Sequence, residues 1–178
     1  KEQLHPFLQQ KHLAEFATKA KKENSGEIGF EQSVITDNLN RDCIIIIDRQ
    51  ITDTELKRRR LDLLALKQVE GRKYQFQLLE VKLGNNKELE GDVADQLRCY
   101  VDHVSQHFNE YKKCYELQYI QKRELGIIHC SSYDTIEIVE PVLGLIVVGG
   151  YSGLAKSKIT LLRKEHPELE VRTLFHEL

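Results

Sequence analysis

Arg60-Leu61-Asp62-Leu63-Leu64-Ala65-Leu66, then Val69-Glu70-Gly71-Arg72-Lys73, then Leu78-Leu79-Glu80-Val81-Lys82-Leu83 decide the reading of this chain. The first and third stretches are largely apolar and read as strands. The second is polar around a central glycine and reads as a hairpin loop. In a hairpin centred on Gly71, residues whose numbers sum to 142 lie opposite each other, and Asp62 and Glu80 are such a pair. Side chains alternate along a strand, so Glu80 and Lys82 share a face and Asp62 faces the same way across the pair. Two carboxylates and an ammonium are thereby set on one small patch. Like charges directly opposite on a sheet destabilise it. A divalent cation between them would remove that cost and give the arrangement a reason.

Asp and Glu are hard oxygen ligands suited to Mg2+ or Mn2+. One or two such ions can polarise a phosphodiester, activate water and neutralise a leaving oxygen. Lys82 adds a compact point charge suited to a developing oxyanion. The plainer reading is a carboxylate pair at an exposed strand end with Lys82 as an ordinary salt-bridge partner. Further on, Gln96 and Tyr100 are four apart and project from one face of an expected helix. Tyr100 falls in the apolar stripe of that helix, which suits core packing as well as a contact to substrate.

An acid followed by an acid-x-lysine on the next strand resembles the PD-(D/E)XK nuclease superfamily, here as Asp62 and Glu80-Val81-Lys82. The residue before Asp62 is Leu61 rather than proline, a departure that many branches share. Gln96-Leu97-Arg98-Cys99-Tyr100 matches the QxxxY motif of the RecB-like branch. These motifs cover about the middle quarter of the chain, and the outer segments match no motif letter by letter. The resemblance implies a metal-dependent nuclease with Asp62, Glu80, Lys82, Gln96 and Tyr100 as its catalytic set. It implies Mg2+ or Mn2+ held by Asp62, Glu80 and the main-chain carbonyl of Val81. It also implies that Lys82 orients or helps deprotonate the attacking water, while Gln96 and Tyr100 contact the phosphate or the water network. Such sites often take a further acid or histidine from the first helix. Glu15, His12 and His5 are the candidates, and Glu31 is another acid before the first strand; nothing in the sequence ranks them.

The chain has 178 residues, a length suited to one domain over 1–178, and its 40% hydrophobic and 30% charged content suits a soluble globular protein. The net charge of −2 argues mildly against a strongly basic, non-specific DNA binder. A local strip of Lys19, Lys21, Lys22, Arg58, Arg59 and Arg60 could flank a DNA groove or form a solvated charged face. Cys43, Cys99, Cys114 and Cys130 include no Cys-x-x-Cys pair, which argues against a zinc ribbon or a redox dithiol. They are expected to be small buried hydrophobes in a reducing cytoplasm. His103 and His107 have a spacing that can bind zinc, but no third ligand is evident and solvated side chains are the expectation. Gly149-Gly150-Tyr151-Ser152-Gly153 lacks P-loop and dinucleotide-binding spacing and reads as a plain turn. The longest apolar stretch, Val142 to Val148, is too short to span a bilayer, and no signal peptide is visible. The absence of methionine suggests a processed, trimmed or incompletely recorded chain.

Pro6 to Lys22 reads as a helix, and Cys43 to Ile47 as a strand buried on both faces. Asp92 to Tyr115 carries the strongest helical spacing, with room for a break after Phe108. Ile136 to Val139 reads as a strand ended by Pro141, and Leu143 to Val148 as another strand or a continuation bent at the proline. Leu154 to Lys164 reads as a helix and Glu170 to Phe175 as a last strand, which makes a βαβ unit with a parallel pair. The expected fold is α/β, with a mixed central sheet flanked by helices. It resembles the restriction-endonuclease-like αβββαβ core with a C-terminal helix-strand extension. The expected function is a Mg2+-dependent cytoplasmic nuclease acting on nucleic acid, DNA in the first place, with no membrane partner and homodimer formation left open. The alternative is a non-catalytic nuclease-fold module that binds nucleic acid or protein. A third reading is a structural α/β domain that binds no metal.

Overall fold

The computed structural model describes residues 26–39, 41, 43–56, 60–129, 131–150 and 152–174. The expected helix from Pro6 to Lys22 lies outside these residues, with His5, His12, Glu15, Lys19, Lys21 and Lys22. Arg58, Arg59, Cys130 and Phe175 lie outside them too.

The hairpin is the centre of the fold. Strand β2 is Arg60–Glu70 and strand β3 is Lys73–Leu83. Leu63 faces Leu79, Leu64 faces Leu78 and Leu66 faces Phe76, so the pairs sum to 142. Both strands run to within one residue of the turn, further than the expected loop allowed. Gly71 takes φ 51°, a left-handed conformation that glycine adopts without a steric penalty. The register shifts between Gln68 and Glu70, beside the turn, so the bulge leaves the rest of the pairing unmoved.

Strand β1, Ile44–Thr52, pairs antiparallel with the other edge of β2 and completes a meander. Strands β4, Glu137–Ile138, and β5, Leu143–Gly149, both pair parallel with β3 along one edge, so they form a single path bent around Pro141. Strand β6, Glu170–Leu174, pairs parallel with β5. The order is β1-β2-β3-β5-β6 with β4 beside β3, a mixed six-stranded sheet. β3 is therefore antiparallel to one neighbour and parallel to the other.

Helices cover both faces. Helix α1 is Glu27–Asp37, α2 is Asp92–Gln106, α3 is Phe108–Glu124 and α4 is Ser152–Glu165. The long helix breaks at His107, before Phe108 and not after it as expected, and α3 runs on past Tyr115. On one face Leu64, Leu66, Phe76 and Leu78 pack with Val93, Leu97, Tyr100 and Val104 of α2 and with Ile159 and Leu162 of α4. On the other, Leu63, Ala65, Leu79, Val81 and Leu145 pack with Val34 and Phe30 of α1. Each fully buried Leu or Val in these layers contributes ~1.5–3 kcal/mol. Ile45 and Ile47 serve the first layer and Ile44 and Ile46 the second, which is why that run is apolar throughout.

Helix α1 was not expected. Its sequence, with Gly29 inside and Val34-Ile35-Thr36 at its end, has weak helix propensity and is stabilised by the sheet it covers. Gly149 explains how closely it sits: a Cβ there would lie 2.3 Å from Cζ of Phe30. Gly149, the last residue of β5, thus has a packing role. The cysteines depart from expectation. Cys43 and Cys114 are exposed and Cys99 is half-buried. Cys43 precedes β1, and Cys114 lies on the outer side of α3, whose inner side carries Tyr115 and Tyr119. No described helix is long and apolar enough to cross a membrane.

Candidate active site

β2 and β3 part at Asp62 and Glu80. Leu63 and Leu79 are the last paired residues at this end. Beyond them Leu61 and Arg60 pair with Ile51 and Thr52 of β1, while Glu80 to Leu83 pair with Ile146 to Gly149 of β5. A fork between strands leaves backbone donors facing the gap, and buried donors need partners. The N–H of Val81 is one of them, and Oδ2 of Asp62 accepts from it at 2.9 Å. Asp62 is therefore fixed by the fork that it fills.

Glu80 is fully buried, 0% exposed. Its Oε1 lies 3.5 Å from Nε2 of Gln96, and its Oε2 lies 3.4 Å from Nζ of Lys82. Oε2 makes no hydrogen bond. Burial pushes this carboxyl up to about 9, the neighbouring Asp62 charge pushes the same way, and Lys82 only partly opposes them. The structure thus brings Asp62 and Glu80 together, one step beyond the last pair of the ladder and not as the directly opposite pair that the hairpin arithmetic expects.

Lys82 is also buried, between Glu80 and Glu88, whose Oε2 is 2.8 Å from Nζ. Burial alone would lower its pKa, but Glu88, Glu80 and Asp62 together outweigh burial, so it stays an ammonium above its ordinary value. Glu88 comes from the one-turn 3-10 helix Lys87–Glu90, started by Asn86, whose Oδ1 accepts from the Glu88 N–H at 2.8 Å. Nothing in the sequence reading singled out Glu88. The only local signal was an Asn placed to cap a turn.

From α2, Nε2 of Gln96 donates to the Tyr100 hydroxyl at 3.0 Å and faces Glu80. The ring of Tyr100 is core, 1% exposed, packed in the layer under α2. The two readings of Tyr100 therefore combine: its ring packs and its hydroxyl meets Gln96 beside the carboxyl pair.

Among the unranked first-helix candidates, Glu31 alone falls within the described residues, and it lies at this site. It is 3% exposed on α1, with Nε2 of Gln50 at 2.6 Å and a guanidinium nitrogen of Arg49 at 3.4 Å. Burial first, then the Asp62 charge, raises its pKa. Gln50 falls opposite Asp62 in the β1–β2 register and takes φ 54°, a left-handed conformation that strains a residue with a side chain. The strain aims its amide at Glu31. One acid thus approaches Asp62 from α1 while Gln96 approaches Glu80 from α2.

His103 and His107 are not a solvated pair. His103 is 9% exposed, and Glu55, from the 3-10 turn Thr54–Leu56, brings a third ligand-capable group to them. The sequence hid this because Glu55 is about fifty residues away and enters only through the bend after β1.

Comparison with known proteins finds no matching protein-family model, no matching curated protein and no matching solved structure.

Proposed function

We propose that this protein is a divalent-metal-dependent nuclease of the PD-(D/E)XK type that hydrolyses phosphodiester bonds in DNA. In this reading β1, β2 and β3, helix α2 and strand β5 are the restriction-endonuclease-like core, and α4 with β6 is its extension. One observation carries the proposal: at the β2–β3 fork, Asp62, held by the Val81 N–H, stands beside a fully buried Glu80 and the buried ammonium of Lys82.

The donor set suits a hard cation. Asp62, Glu80 and the carbonyl of Val81 offer only oxygen, and Glu80 has a buried oxygen without a hydrogen bond. Held there, Mg2+ or Mn2+ supplies Lewis-acid polarisation of the phosphodiester and offsets the negative charge. The protein does the rest by positioning. Asp62 is fixed by the Val81 N–H, so its carboxylate needs no reorganisation. Lys82, held between two carboxylates, presents a fixed positive charge to an attacking water and to the phosphate oxygens. Gln96, anchored on the Tyr100 hydroxyl, orients Glu80. Arg60 is exposed at the start of β2, close enough to affect Glu31, and is placed to meet a phosphate backbone.

A cleavage assay tests this with single- and double-stranded DNA and RNA, each with and without Mg2+ or Mn2+. Metal-dependent cleavage of DNA is expected, lost in Glu80→Ala. A protein that binds nucleic acid and cuts none of it under any condition would instead be the non-catalytic module of the same fold.

A further inference from the structure

We propose that Glu55, His103 and His107 form a second metal centre, separate from the carboxylate site, that takes a borderline transition metal, Zn2+ in the first place. The proposal does not rest on the nuclease reading.

The geometry is convergent. One ring nitrogen of His103, one of His107 and a carboxylate oxygen of Glu55 all lie within 4.8 Å of one another. Glu55 Oε2 is 3.2 Å from His107 Nε2 and 4.0 Å from His103 Nδ1. Ligand atoms about 2.0–2.2 Å from a tetrahedral zinc stand about 3.3 Å apart. Small side-chain rotations close the difference. The rings have centroids 4.8 Å apart, tilted by 44°, because the helix breaks at His107 instead of running straight through.

The far side of each ring carries an acid. Nε2 of His103 lies 3.0 Å from Oδ2 of Asp53, and Nδ1 of His107 lies 3.8 Å from Oε2 of Glu110. Asp53 also accepts from the Tyr111 hydroxyl at 3.0 Å and, through Oδ1, from the Glu55 N–H at 3.0 Å. The Asp53 carboxylate accepts from all its neighbours, so Nε2 of His103 is the donor. In the neutral ring the lone pair then sits on Nδ1, the nitrogen that faces Glu55. Metal-ligating histidines are commonly oriented by such an outer carboxylate. Asp53 positions two of the three ligands at once, His103 through its ring and Glu55 through its backbone.

Two imidazoles and one carboxylate suit Zn2+ better than Mg2+, which prefers oxygen donors. The Glu55 side chain is 64% exposed, and the cleft beside it is lined by Asp95, Cys99 and Asp102. Solvent or a small ligand can complete the coordination, the pattern of three protein ligands and an open position.

The test uses the full chain, stripped with a chelator and titrated with Co2+, a spectroscopic substitute for Zn2+. One equivalent should give the visible bands of a four- or five-coordinate site, and Zn2+ should displace them. His107→Ala and Glu55→Gln, both at accessible positions that the core does not need, should abolish the bands while leaving the metal-free melting temperature near wild type. Asp53→Asn should weaken Co2+ binding by about 10–100-fold, as loss of an outer carboxylate does. Glu80→Gln should leave the bands unchanged. The proposal is overturned if no band develops at stoichiometric Co2+, if the bands survive in His107→Ala and Glu55→Gln, or if Glu80→Gln removes them. Cleavage activity plays no part in this readout, so its outcome is independent of the nuclease assay.

Discussion

Glu80 and His103 are both buried polar side chains in the layer that α2 covers, yet they are kept there by opposite means. Glu80 has a like charge beside it, an oxygen without a hydrogen bond, and a lysine that offsets only part of the cost. His103 has an anion on one nitrogen, and that anion is itself held by a backbone N–H and a tyrosine. The first cluster is frustrated without a cation and the second is complementary without one. Removing a side chain should therefore relieve the first and damage the second. The donors differ as well, oxygen at the fork and mostly imidazole at the helix break, so the two places should prefer different metals.

The largest expected difference is in activity. Glu80→Ala should lower DNA cleavage at least ~1000-fold, as losing the main electrostatic element of a site does. Lys82→Ala should lower it by about 100-fold or more with metal still bound, since both acids remain. His107→Ala should leave Mg2+-dependent cleavage within about twofold, because additivity holds for distant sites. A loss of cleavage in His107→Ala equal to that in Glu80→Ala would merge the two regions into one site.

Stability without metal should divide the two regions next. Asp53→Ala strands the Glu55 N–H, the Tyr111 hydroxyl and Nε2 of His103. It should cost ~1–3 kcal/mol, roughly 3–10 °C in melting temperature for a chain of this size. Glu80→Gln removes the charge conflict and should leave the melting temperature unchanged or raised. Equal losses in both variants would mean that Glu80 is an ordinary structural ion-pair partner.

The pH dependence sharpens the same contrast. The folded Glu80 carboxyl is raised to about 9 from an ordinary 4.5, so its protonated form is favoured in the native state. That stabilisation is complete below about 4.5 and is lost as pH rises towards 9. The metal-free melting temperature should fall over this range, and Glu80→Gln should flatten the fall. Asp53 runs the other way. Its folded pKa is lowered to about 2 from 3.8, so its stabilisation is present above 3.8 and lost as pH falls through about 2. Melts of wild type, Glu80→Gln and Asp53→Asn across pH read both ends. Among the residues at the fork, the smallest effect expected is that of Gln96→Ala, about tenfold in cleavage, because Gln96 touches Glu80 only at the 3.5 Å limit.

The fork was legible in the sequence because its geometry is local. One glycine set the register, and the bulge fell beside the turn, where it could not move Asp62 off Glu80. Gln96 and Tyr100 were legible because a helix fixes what four residues of spacing mean. Glu88 and Glu55 were not, and Glu31 was legible only as one of several unranked candidates. Glu88 arrives by an irregular turn. Glu31 stands on a helix whose β-branched end hid it, aimed by a left-handed Gln50 that no propensity indicates. Glu55 meets the histidines only after the meander folds against α2 and α3. The parallel β5–β6 pairing was legible from the apolar strand-helix-strand run, whereas the expected burial of the cysteines failed at positions on an outer surface.

The most direct test of the fork as a cation site is the melting temperature with and without Mg2+ for wild type, Glu80→Ala and Lys82→Ala. Mg2+ is the right probe because the imidazole cluster should ignore it. At 100 times its dissociation constant, a cation bound only by the native state adds about 2.7 kcal/mol. Wild type should therefore melt roughly 5–10 °C higher with Mg2+. Lys82→Ala should keep the shift and Glu80→Ala should lose it. A wild type that does not respond to Mg2+, or a shift that survives in Glu80→Ala, would contradict a metal site at Asp62 and Glu80.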